Sequence, residues 1–156
     1  MTLVALLDYG SVLIFALTGA LVASRAQLDL VGCAFIASLT ALGGGTTRDV
    51  LLDRNPIFWI ANPTYLAAAA GAALTVLFTA HLLESRYRAL IWLDSFALSI
   101  AVAAGAGVAI AMDQSAIIVI LMGMITGCMG GLMRDVVVGE VPIVLKQGEL
   151  YVPAAF

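Results

Sequence analysis

Apolar residues run along this chain in long unbroken blocks instead of alternating with polar ones. Asp, Glu, Lys and Arg are absent from residues 9–24, 30–47, 55–80, 95–112 and 114–133. A helix needs about 20 predominantly apolar residues to cross a bilayer, within a range of about 17–25. Allowing a charge at one end, the blocks predict spanning helices near 3–24, 28–52, 63–83, 88–111 and 114–138, and a sixth that starts around Glu149. Strands are a poor fit, because the runs do not alternate and an open sheet edge cannot be satisfied in lipid. Arg25-Ala26-Gln27, Glu84-Ser85-Arg86-Tyr87-Arg88 and Asp113-Gln114 read as short polar connectors. Asn55-Pro56 and Asn62-Pro63 read as breaks, with Pro63 in the first turn of the third span. Trp59, Tyr65, Tyr87 and Trp92 fall near helix ends, where amphipathic rings favour the membrane interface.

Composition sharpens this into a statement about solvent. The 156 residues are 63% hydrophobic and 11% charged, against about 45–50% and about 25% in soluble domains. Seventeen charged residues cannot cover the outside of a water-soluble fold of this size, and a net charge of −3 gives no basic footprint for nucleic acid. The expectation is an all-α membrane protein, a single transmembrane domain over residues 1–156, with the lipid bilayer as its first partner and no nucleic acid. Cys33 and Cys128 sit inside apolar runs without metal-ligand spacing and read as small apolar residues. With no cationic region or A-x-A site before the first charge, the first hydrophobic segment is expected to be retained.

An internal repeat carries the most information. At an offset of 86 residues, Asp8, Gly19, Thr40, Gly44, Gly45, Arg48, Asp49, Pro56 and Tyr65 fall on Asp94, Gly105, Thr126, Gly130, Gly131, Arg134, Asp135, Pro142 and Tyr151. Matches among charges, glycines and prolines at one gapless offset are far more telling than matched alanines. Repeat 1 covers about 1–86 and repeat 2 about 87–156, each built on three spanning helices. Three is odd, so the second repeat enters the bilayer from the opposite side. Inverted repeats of this kind place binding or conduction sites near the midplane. The connectors after the first, third and fifth spans carry Arg25, Arg86, Arg88, Arg134 and Lys146, and the other side carries Arg48 and Arg54. Five against two puts the N-terminus outside by the positive-inside rule.

The second span runs into Gly43-Gly44-Gly45-Thr46-Thr47-Arg48-Asp49 and the fifth into Gly130-Gly131-Leu132-Met133-Arg134-Asp135. Each glycine costs about 1 kcal/mol against alanine inside a helix. One reading is a helix that kinks or opens there beside a pore, its freed carbonyls suited to a cation. The other is close packing, since Gly123, Gly127 and Gly131 form a G-x-x-x-G-x-x-x-G face. Arg48 and Arg134 follow within a turn. An arginine inside the membrane costs from about 2.5 to about 17 kcal/mol and faces a cavity or a partner. Asp8 and Arg48 lie toward one side and Asp94 and Arg134 toward the other, which predicts two symmetry-related ion pairs. Alternatively the aspartates favour helix N-termini and the arginines snorkel to the headgroups. Asp49 and Asp135 read as local counter-charges or cation attractors. Among the hydroxyls, the repeated Thr40/Thr126 pair stands out as a candidate lining of the path. His81 reads as an interfacial histidine.

The segments GGGTTRDVLLDRNPIFWI and GGLMRDVVVGEVPIVLKQGELYV resemble the paired signatures of the prokaryotic TRIC-type (trimeric intracellular cation) channels. That family overlaps the bacterial glycine-transporter-like membrane proteins. The resemblance covers essentially the whole chain. It implies two inverted three-helix repeats plus a seventh helix, a homotrimer with a pore within each protomer, and conduction of monovalent cations, chiefly K+, with Na+ the other candidate and no cofactor. It maps the helix kinks onto Gly43–Gly45 and Gly130–Gly131 and the basic pore residues onto Arg48 and Arg134. The second motif departs from the first, with Met129 in place of the leading glycine. By the repeat offset, Phe156 falls a few residues into the sixth span, so the rest of that helix and the seventh are expected but absent from this chain.

These readings point to a potassium-permeable cation channel of the cell (inner) membrane. The alternative is a secondary transporter for a small solute such as an amino acid, which inverted repeats with broken helices serve equally well. An enzyme is not expected, since no H-E-x-x-H, G-x-S-x-G or His/Cys cluster is present.

Overall fold

A computed structural model describes residues 2–79, 82 and 86–146 of the chain. His81, the start of the predicted sixth span at Glu149 and the repeat position Tyr151 lie outside the described residues. Helix α1 spans Leu3–Arg25, α2 Leu30–Leu51, α3 Phe58–Ala61, α4 Thr64–Thr79, α5 Arg86–Ala111 and α6 Ala116–Val138, with a 3-10 turn at Ile143–Leu145. The described residues contain no strand. Four of these helices, α1, α2, α5 and α6, are long and apolar enough to cross a membrane, and α4 is a shorter apolar helix within the described residues. The predicted boundaries agree to within about two residues at α1, α2, α5 and α6. The four-residue helix α3 was not anticipated; it lies in what the sequence marks only as a pair of Asn-Pro breaks.

Local chemistry explains the ends. Thr2 caps α1 by accepting from the Ala5 N–H, and Asp29 caps α2 by accepting from the Gly32 N–H at 2.8 Å. The C-terminal turns obey the repeat down to the backbone. Gln27 and Asp113 both take positive φ after α1 and α5, and Asp53 and Gly139 both do so after α2 and α6. The Arg54 N–H then bonds the Asp49 carbonyl, as the Glu140 N–H bonds the Asp135 carbonyl.

The packing is that of an inverted repeat. Helix α1 packs on α2 and α5, α6 packs on α5 and α2, and α4 packs on α1 and α2. Leu90 at the start of α5 clusters with Val22 near the end of α1, while Gly107 near the end of α5 faces Val4. Those two helices are therefore antiparallel. Val138 at the end of α6 packs on Cys33 and Ile36 near the start of α2, so that pair is antiparallel as well. The pairs α1·α5 and α2·α6 straddle the pseudo-two-fold axis.

Large apolar side chains cover the outside. Val31, Phe35, Phe78, Phe96, Ile110 and Ile117 are all exposed, the pattern of a surface solvated by hydrocarbon and not by water. Tyr65 breaks the interfacial expectation. It is buried, stacked on Tyr9 with ring centroids 3.9 Å apart and edge-on to Phe58.

Candidate functional site: a glycine crossing between two buried arginine clusters

The interior polar groups lie along the axis shared by α1, α2, α5 and α6. At its centre, α2 crosses α6 backbone to backbone. A Cβ on Gly44 would come within 2.1 Å of the Thr126 carbonyl oxygen, and one on Gly130 within 2.3 Å of the Thr40 carbonyl oxygen. The contacts are reciprocal across the pseudo-axis. The same two threonines take α1 and α5 close: a Cβ on Gly19 would meet Thr40 Oγ1 at 2.6 Å, and one on Gly105 would meet Thr126 Oγ1 at 2.4 Å. Gly45 gives way to the Phe58 ring and Gly43 to Met133 Sδ.

Both α2 and α6 are continuous through their glycine runs. Close approach of the helices operates at both motifs. Threonine hydroxyls add to the ladder instead of interrupting it. Thr40, Thr46 and Thr47 donate to the Ile36, Leu42 and Gly43 carbonyls, and Thr126 donates to Met122 at 2.6 Å. The hydroxyls of Thr40 and Thr126 are thus spent on their own helices.

At either end of the crossing sits an arginine with no solvent exposure. Arg48 Nη1 donates to Asp8 Oδ1 at 2.9 Å and Nε to Asp49 Oδ1 at 2.8 Å. Arg134 Nη1 and Nη2 donate to Asp94 Oδ1 and Oδ2, both at 2.8 Å, and Nε donates to Asp135 Oδ1 at 2.8 Å. The pairs that the repeat places on opposite sides of the bilayer are thus brought together side chain to side chain. Neither arginine side chain is open to the surroundings. Removing a charge this size from water is tolerable only when its hydrogen bonds are supplied internally.

Asp49 and Asp135 do more than balance charge. Asp49 Oδ2 accepts from the Phe58 N–H and Asp135 Oδ2 from the Ile143 N–H, each at 2.9 Å. Each aspartate therefore ties its arginine to the segment that re-enters after the Arg-Asp motif, and both are buried, which makes them counter-charges held in place. The sequence did not link three further residues to these clusters. Thr18 accepts from Arg134 Nη1 at 3.1 Å, from across the repeat boundary. Phe58 lies beneath the Arg48 guanidinium, 5.5 Å from it. Arg54 Nη1 approaches Asp49 Oδ1 at 3.5 Å. The pairing of Thr18 was legible only as an unmatched hydroxyl, since position 104 at the same offset is alanine.

Two spaces flank Asp8. A vestibule of about 230 Å³ is lined by Asp8, Arg54, Pro56, Phe58, Asn62 and Tyr65 among others. A void of about 10 Å³ lies deeper, against Asp8, Ser11, Gly44, Gly45, Phe58 and Thr126. Among the described residues no group of three or more His, Cys, Asp or Glu side chains is placed to hold a metal ion.

A family model described as glycine transporter matches residues 5–81 and 91–156. The chain is 40% identical to a UPF0126 membrane protein of Vibrio cholerae over 98% of its own length and 64% of that relative's, so it spans less than two thirds of that protein. It is 36% identical to the UPF0126 inner membrane protein YadS of Escherichia coli, over 97% of this chain and 73% of that one. Its fold matches a TRIC trimeric intracellular cation channel orthologue from Rhodobacter sphaeroides with a TM-score of 0.94 and 42% identity, covering 99% of this chain and 79% of that one. A prokaryotic TRIC channel crystallised in 0.5 M KCl matches with a TM-score of 0.90 and 29% identity, over 97% and 78% of the two chains. With family model, relatives and fold in agreement, the chain belongs to the glycine transporter family of UPF0126 multi-pass membrane proteins and carries the fold of the prokaryotic TRIC channels.

Proposed function

We propose that this protein is a cation channel, permeable chiefly to potassium, with the conduction path inside the protomer along the α2–α6 crossing. The observation that carries the reading is the pair of buried Arg–Asp clusters at the two ends of that crossing, in a fold shared with solved TRIC cation channels. Charge supports the sign of the permeant ion. Around Arg134 two carboxylates, Asp94 and Asp135, face one guanidinium, while around Arg48 the carboxylates of Asp8 and Asp49 are met by Arg54 as well. The carboxylate excess around Arg134 favours cations over anions in a low-dielectric pore. Gly43, Gly44, Gly45, Gly130 and Gly131, with Thr40 and Thr126, shape the path, and Arg48, Arg134, Asp8, Asp94, Asp49 and Asp135 set its potential. No cofactor enters this reading. The functional unit is a homotrimer in the inner membrane, its N-terminus outside, with repeats 1–86 and 87–156 forming one transmembrane domain.

The family model's description favours a second reading, a secondary transporter for a small amino acid. One experiment separates the two. The chain is reconstituted in potassium-loaded liposomes, and flux is followed under an imposed voltage, with and without external glycine. Potassium flux that follows the voltage, reverses near the potassium potential and ignores glycine supports the channel. Saturable glycine uptake without such currents sinks it. Orientation is tested separately in cells: a Gln27→Cys thiol is expected to be shielded from an impermeant external reagent.

A further inference from the structure

The two arginine clusters share a plan and differ in how tightly they are held. Arg134 makes four side-chain hydrogen bonds, two to Asp94, one to Asp135 and one to Thr18. Arg48 makes two, one to Asp8 and one to Asp49. Arg48 Nη2 has no hydrogen-bond partner although the residue has no solvent exposure. Resting on the reading of this interior as a cation path, we infer that the Asp8–Arg48 contact is its releasable gate and Asp94–Arg134 its fixed anchor, so that opening starts at the mouth beside the N-terminus of α1.

Sequence differences at the 86-residue offset account for the looseness. Thr18, which completes the shell of Arg134, corresponds to Ala104, a buried methyl that accepts nothing. Val12 at the inner void corresponds to Leu98, one methylene larger and fully buried. Phe58 corresponds to Val144. The consequences converge on one place. Asp8 and Phe58 line both the vestibule of about 230 Å³ and the void of about 10 Å³, the latter large enough for about one water molecule. These two side chains, which flank the Arg48 guanidinium from its carboxylate side and its ring side, form the partition between the two spaces. The Asp8 side chain keeps 9% exposure, whereas that of Asp94 has none.

Arg48 also has somewhere to go. Asp49 holds its Nε independently of Asp8, so the guanidinium can leave Asp8 while remaining paired. Release costs one charge-assisted hydrogen bond at the Asp8 end. The same movement at Arg134 breaks three. With more bonds to break at Arg134, opening is expected mainly at the first mouth. Parting Asp8 from Phe58 then joins the vestibule to the void under Gly44 and Gly45, and water and ions reach the crossing.

The test reads access directly. In the chain with Cys33 and Cys128 replaced by alanine, single cysteines replace Ser11, at the inner void, or its repeat counterpart Ala97. Proteoliposomes are treated with a membrane-impermeant cationic thiosulfonate from either face, and potassium flux is recorded on the same vesicles. S11C is expected to react from the face that holds the α1 N-terminus about tenfold faster than A97C reacts from the opposite face, tenfold corresponding to about 1.4 kcal/mol of opening free energy. Equal rates, or faster reaction at A97C, overturn the proposal. A104T and V12L in the S11C background form the second arm and leave the pair itself intact. The first restores the acceptor that Arg134 has, the second fills the void, and each is expected to slow S11C labelling several-fold. If both leave it unchanged, the gate is not at Arg48. Absence of potassium flux with the labelling asymmetry intact defeats the channel reading alone, and flux with symmetric labelling defeats the gate alone.

Discussion

The centre of this molecule and its two ends descend from one repeated plan and have treated it differently. At the crossing, Gly44 against Thr126 and Gly130 against Thr40 are mirror images to within 0.2 Å in their hypothetical Cβ contacts. At the ends, Arg134 is gripped by both oxygens of Asp94 and by Thr18, and Arg48 by one oxygen of Asp8. Two backbones on a shared axis constrain each other, because any side chain added to one must be accommodated by the other. At the ends the contacts are between side chains, so each could change its neighbours separately. Symmetry is kept where backbone meets backbone and lost where side chains meet.

This contrast is breakable, and the largest effect is expected at the tighter end. Asp94→Ala leaves a buried guanidinium without its bidentate partner, which costs about 3–5 kcal/mol. Asp8→Ala is expected to cost about half as much, since one bond to Arg48 is lost where Asp94→Ala loses two. Thermal unfolding of both variants in the same detergent measures the difference, and equal losses would mean that the two clusters are energetically alike. Next come Gly44→Ala and Gly130→Ala. The obstacle at each is a carbonyl of the partner helix, not a flexible side-chain end, so the helices must separate, at about 1–3 kcal/mol each. The symmetric crossing predicts that the two losses agree to within about 0.5 kcal/mol, the margin within which independent effects are compared. Unequal losses would show that the crossing has diverged as the ends have.

The helices, the repeat and both ion pairs were legible in the sequence for one reason. In a chain with 17 charged residues, an aspartate and an arginine recurring together at a fixed offset inside apolar runs have few partners other than each other. The glycine runs were ambiguous. A helix that opens and a helix that is closely approached call for the same residue, and only the position of α6 against α2 distinguishes them. Helix α3 and its link to Asp49 left no trace, because the donor is the Phe58 backbone N–H, which every residue but proline carries. Tyr65 read as interfacial because it stands one residue into α4, and it is buried because Tyr9 and Phe58 close over it.

The smaller effects refine the same contrast. Thr18→Ala removes the acceptor that distinguishes the two arginines and is expected to cost about 1.5 kcal/mol, the lower range for a hydrogen bond to a charged group. In an Asp94→Ala background, where Thr18 is the last acceptor left to the η nitrogens of Arg134, the same substitution is expected to cost more. That non-additivity is the signature of one network, and strict additivity would mean that Thr18 acts by packing alone. The smallest effect has the opposite sign. Gly71, on α4, meets nothing within 4 Å where a Cβ would stand, in contrast to the glycines of the crossing. Alanine there restricts the unfolded chain without opposing any neighbour and is expected to stabilise by about 0.4–1 kcal/mol. A loss of stability at Gly71 would place a further surface against α4.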